Sequence, residues 1–142
     1  MREIEFRGKT KDGEWVYGYL DYRDNQFFIN EVFETPPTWS DPCGDTHYER
    51  HLIDHKTIGQ YTGLNDKNGV KIFEGDIVKL TTYIGGNFVE NKISKGIIVF
   101  ERFSFSIKNI PSEQYTTSLC LSDETIINVI GNIHENPEMV EV

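Results

Sequence analysis

The sequence predicts an all-β, mainly antiparallel protein with at most short helical turns. Apolar and polar residues alternate with a period of two, turn signals rich in Gly, Asn and Asp recur at short intervals, and no long stretch repeats with the helical period. A single domain is expected over residues 1–142. N-terminal strands, about 1–33, should pack against a core at about 57–133 that forms a strongly bent sheet or partly open small barrel. An irregular surface loop is expected at about 34–50 and a C-terminal tail at 134–142.

The first thirty residues carry the clearest pattern. "REIEFR" alternates, with Ile4 and Phe6 on one face, and Asp12-Gly13 is a hairpin signal. "EWVYGYLDY" sends Trp15, Tyr17 and Tyr19 one way and Val16, Gly18 and Leu20 the other. Gly18 inside this run predicts a bulge or a close backbone neighbour. "RDN" turns the chain, and "QFFIN" opens a third strand. Pro36, Pro37, Pro42 and Gly44 then break the pattern, so the loop is expected to hold neither strand nor long helix. Its Trp39 either pins the loop to the body or contacts a partner.

Beyond the loop, "TIGQYTGLNDKNGVKIFEGDIV" spaces Gly63, Gly69 and Gly75 six residues apart. A phosphate cradle needs such glycines to lead into a helix, and here each precedes a short strand-like run. The stretch is expected to be two consecutive chain reversals, with Gly69 and Gly75 at positive φ. Ile72, Phe73, Ile77 and Val78 are core candidates, and Lys67 and Lys71 should be solvated. "DIVKLTTYI" is the next strand, followed by a "GGN" turn. In "KGIIVFERFSFSIK" the phase slips between Phe100 and Phe103, which predicts a β-bulge near Glu101-Arg102. Residues 111–121 carry no decisive pattern. "ETIINVIGNI" is the last strand, and "ENPEMV" can make one helical turn from about Pro137.

Chemistry-bearing motifs are sparse. Cys43, His47, His51 and His55 have metal-ligand chemistry at a constant spacing of four. They would share a face only on a helix, in sequence hostile to one, so no structural metal is expected. His134-Glu135 does not complete H-E-x-x-H, Gly8-Lys9-Thr10 lacks the rest of a P-loop, and no G-x-S-x-G elbow is present. Glu74 and Asp76 flank Gly75 as a candidate carboxylate pair, for which a solvated turn is the better reading. No catalytic or cofactor-binding residue is assigned, and an enzyme is not expected. Cys43 and Cys120 are expected to be reduced thiols.

The net charge of −9 disfavours nucleic acid as the main partner. Charge is uneven, however. Lys79, Lys92, Lys95, Arg102 and Lys108 give residues 79–108 a balance of +3. These basic, aromatic-rich strands are a speculative nucleic-acid surface. No apolar run approaches the roughly 18 residues of a membrane span, and "MREIEFRGK" lacks the apolar centre of a signal peptide. A cytoplasmic protein with no membrane partner is expected.

Several of these stretches resemble one known family. "FRGKTKDGEWVYG", with Trp15, Tyr17 and Gly18, then "TIGQYTGLNDKNGVKIFEGDIV", "KGIIVF" and "VIGNIHENPEMV" occur in the order found in the YopX family of phage and prophage proteins. The resemblance spans nearly the whole chain, with 34–50 as a variable region, and the Cys/His spacing is not part of it. It implies a mainly β fold and a phage or prophage origin in a bacterial host, without implying an activity, cofactor or catalytic residue. The expected function is a non-enzymatic interaction protein that binds an unidentified protein partner or self-associates. The alternative is the nucleic-acid-associated module at 79–108.

Overall fold

A computed structural model describes residues 4–84, 87–101, 104–110, 115–116 and 125–140. Eleven strands account for most of them: β1 Phe6–Lys9, β2 Trp15–Arg23, β3 Gln26–Thr35, β4 Asp45–Leu52, β5 Asp54–Asn65, β6 Lys71–Phe73, β7 Asp76–Ile84, β8 Asn87–Glu101, β9 Ser104–Ile110, β10 Tyr115–Thr116 and β11 Thr125–Asn132. One 3-10 turn follows at Pro137–Met139, where the sequence places it. All strand pairings are antiparallel, and neither sheet closes into a barrel. The chain packs as two compact units, Met1–Gln60 and Tyr61–Val142, divided within β5.

In the first unit the strand order is β4-β3-β2-β1-β5. The β2–β3 hairpin closes tightly, with Arg23 paired to Gln26. Asp24 and Asn25 take positive φ of 51° and 61°, which short polar side chains tolerate better than most and which suits the twist of a two-residue hairpin. Val16, Ile29 and Ile53 form the buried centre, flanked by Phe6, Leu20, Phe27 and Ile58. Ile4, expected to share a strand face with Phe6, is exposed and precedes β1. Gly18 does have a close neighbour: a Cβ there would lie 2.1 Å from the Asn30 carbonyl oxygen.

The irregular loop is shorter than expected. Strand β3 runs to Thr35 and β4 begins at Asp45, so residues 45–50 are strand rather than loop. They carry no alternating signal, because β4 is an edge strand and Asp45–Arg50 are exposed on both faces. Register with β3, from Thr35↔Asp45 to Phe28↔Leu52, holds them in place.

The second unit contains the sheet β10-β9-β8-β7-β11 and the pairing of β6 with the end of β5. Ile72, Val78, Leu80, Ile98, Phe105, Ile107 and Ile127 form its core, with Leu64 and Val129 packed alongside. All four core candidates of the glycine-spaced stretch are buried: Ile72, Phe73, Ile77 and Val78. Adjacent strand residues point to opposite faces, so both faces of this segment are covered.

The run 95–108 is not one bulged strand. It is the β8–β9 hairpin, with Glu101 paired to Ser104, Phe100 to Phe105 and Ile98 to Ile107. A two-residue connection shifts the alternation by one, and a bulge does the same, so phase alone could not separate them. Arg102 and Phe103 lie outside the described residues, as do Gly85 and Gly86 of the "GGN" turn and most of residues 111–121.

Candidate functional site

The glycine-spaced stretch is architectural. Gly63, Gly69 and Gly75 all have positive φ, at 89°, 81° and 90°. The Gly75 amide donates to the Ile98 carbonyl, and its own carbonyl accepts from Ile133 N–H. Gly75→Val is therefore expected to destabilise the fold by about 1 kcal/mol or more through backbone strain. Lys67 is exposed, and Lys67→Ala should change stability by no more than about 0.5 kcal/mol. Urea unfolding of the two variants checks both. Lys71 is not merely solvated, since its ammonium sits 5.2 Å from the Tyr61 ring centroid.

Carboxylates organise both reversals. Asp66 is buried. Its Oδ1 accepts from the amides of Asn68 and Val70, and its Oδ2 from the amide of Val129. Burial pushes the Asp66 carboxyl up, but the Val129, Val70 and Asn68 amides and the nearby Lys67 charge outweigh this and hold it below its ordinary value. Asp76, expected in a solvated turn, is instead buried, and its Oδ2 accepts from Phe73 N–H. Its polar group closes a turn, which explains its burial better than acid–base work with the half-buried Glu74.

Of the basic residues proposed as a nucleic-acid surface, Lys79 pairs directly with Lys95, and Lys108 pairs with Ile97. Register thus puts Lys79, Lys95 and Lys108 on one face of the sheet. Val78, Ile98, Phe105 and Ile107 belong to the core on the other face, which Phe100 shares through its pairing with Phe105. The charges and these rings therefore diverge. Arg102 and the Lys92 side chain lie outside what is described.

The four-spaced cysteine and histidines do not assemble. His47 and His51 are on the extended β4, His55 is on β5, and Cys43 is an exposed free thiol in the preceding turn. Cys120 lies outside the described residues. Register instead brings His51 to two acids that sequence spacing does not flag. Glu31 pairs directly with Glu49, and Ile29 with His51, so all four share a face. His51 Nε2 is 3.6 Å from Glu31 Oε1 and 4.0 Å from Glu49 Oε2.

The outer half of the β3–β4 hairpin is the most exposed apolar region described in the first unit. Phe33 and Tyr48 are exposed, and Tyr19 lies nearby on β2. Trp39 at the tip is 98% exposed, so it does not pin the loop. The loop is nonetheless ordered by its own bonds. Thr38 and Asp41 exchange backbone hydrogen bonds, and Thr35 Oγ1 donates to the Asp45 carbonyl while accepting from its amide. A turn closed in this way presents the indole with little ordering left to do on binding.

The family model described as YopX protein matches residues 5–141. No curated protein matches the chain. Among solved structures, the crystal structure of protein EF1440 from Enterococcus faecalis is similar, at 26% identity and a TM-score of 0.55, over 99% of this chain and 100% of that one.

Proposed function

The chain belongs to the YopX family, and on that premise we propose that it is a phage- or prophage-derived, non-enzymatic interaction protein that acts in the bacterial cytoplasm by self-association. The observation that carries this reading is the β3–β4 arm. Its outer strands are exposed on both faces, display Phe33 and Tyr48, carry Trp39 on the loop that joins them, and end in an edge. Among the described residues, no strand pairs with the outer side of β4. A long, uncovered edge strand is a template for another strand, and two strands alone are marginal in water.

Charge selects the occupant. A second copy can add its β4 antiparallel about a twofold axis through Tyr48. Asp45 then faces the partner's His51, His47 faces the partner's Glu49, and Thr46 faces the partner's Arg50. Shifting the axis to His47 sets Asp45 against the partner's Glu49, and shifting it to Glu49 sets two glutamates together. Like charges directly opposite are unfavourable, and an isologous contact must satisfy its own complement. Of these three registers, which overlap the most of β4, the Tyr48-centred one does so.

Sedimentation velocity tests this. The protein is expected to be a dimer, and Tyr48→Lys, which places two ammonium groups at the centre of the contact, should make it a monomer. A wild-type monomer at the highest attainable concentration, or a Tyr48→Lys dimer, refutes the proposal. The shared face of Lys79, Lys95 and Lys108 favours a second reading, a nucleic-acid-associated module. It predicts salt-sensitive binding of DNA or RNA that weakens in Lys95→Ala.

A further inference from the structure

The geometry points to a divalent-cation site, of the zinc class, formed by Glu31, Glu49 and His51 on the β3–β4 ladder. Their ligand atoms lie within 4.8 Å of one another. His51 Nε2 is buried and makes no hydrogen bond, although a carboxylate oxygen stands 3.6 Å away and another 4.0 Å away. Those distances are too long for hydrogen bonds. They approach the roughly 3.3 Å edge of a tetrahedron built with bonds of about 2.0–2.1 Å. Small side-chain adjustments would bring all three atoms onto one ion.

Two physical costs are removed together by such an ion. A buried nitrogen without a partner carries a desolvation penalty. Glu31 directly opposite Glu49 places like charges across the ladder. A dication would accept the nitrogen lone pair and neutralise both carboxylates. Gly18 of β2 packs directly against the Asn30 and Glu31 backbone, which holds the Glu31 end of the row in place. The Ile29 side chain on the same face anchors one end of the row in the core.

The donor set identifies the class of ion. An imidazole nitrogen suits zinc and its transition-metal neighbours better than magnesium or calcium, and three protein ligands are few for calcium, which takes six to eight oxygens. Three ligands leave a fourth tetrahedral position for water, and the Glu49 side chain is exposed in the single chain. Every ligand comes from one chain, so the site does not require self-association, although the proposed dimer contact runs along the same strand beside Glu49 and His51.

Calorimetric titration of the full chain with zinc chloride tests the assignment. About one ion per chain is expected, with affinity reduced at least tenfold in His51→Ala and in Glu49→Gln. The exposed Glu49→Gln substitution should leave the fold intact, so its loss of affinity cannot be attributed to unfolding. Cys43→Ser and His55→Ala should bind zinc like the wild type. Tyr48→Lys should still bind zinc, which shows that the site does not need the dimer contact. Zinc should raise the melting temperature of the wild type and not of Glu49→Gln. No binding, wild-type affinity in Glu49→Gln or in His51→Ala, or loss of binding in Cys43→Ser overturns the site.

Discussion

Asp66→Ala is expected to destabilise the second unit by about 3 kcal/mol, because it leaves three backbone amides without their acceptor. Asn68 and Val70 are exposed and can recruit water in part, whereas the Val129 amide lies across the chain in a half-buried strand. The same carboxylate ties the 66–70 turn to β11, so its removal also loosens that pairing. Asp66→Asn should cost less, since one oxygen remains to accept.

The pH dependence follows from the direction of the shift. The Asp66 carboxyl is held below its ordinary value in the folded protein, so folding favours the ionised form. Its contribution is fully present above the unfolded-state value of about 4 and is lost as pH falls through the lower folded-state value. Urea unfolding should therefore show a wild-type advantage over Asp66→Asn that is constant near neutrality and shrinks in that acid window. An advantage that grew on acidification would contradict the hydrogen-bond account.

Gly18→Ala is expected to destabilise the first unit by about 2–3 kcal/mol through overpacking. The added Cβ would meet the Asn30 carbonyl oxygen at 2.1 Å, the Asn30 carbonyl carbon at 2.9 Å and Glu31 Cα at 3.3 Å. All three are backbone atoms, so no side-chain rotation relieves the contact, and the β2–β3 spacing itself must change. Tyr19→Ala, at the neighbouring exposed position, should cost much less. Because Glu31 is among the displaced atoms, Gly18→Ala should also weaken zinc binding beyond what Tyr19→Ala does. Denaturant midpoints and titrations on both variants check the two parts together.

Local chemistry by itself determined the fold class, the N-terminal strands, the architectural use of the glycine-spaced stretch and the final turn at Pro137. Alternation, turn residues and proline act within a few positions of themselves, so they are readable along the chain. The same locality explains the misreadings. Strand β4 has no alternation to read because both faces of Asp45–Arg50 are solvated, and only its ladder with β3 makes it a strand. The phase slip at Phe100 fits a bulge or a hairpin, and the pairing of Glu101 with Ser104 decided for the hairpin. Asp66 carried a legible turn signal in "NDKNG", but its bond to Val129 spans 63 residues. The Glu31–Glu49–His51 cluster had no sequence signal. Its members are separated by a loop, and what brings them together is register, a property of two strands that neither possesses alone.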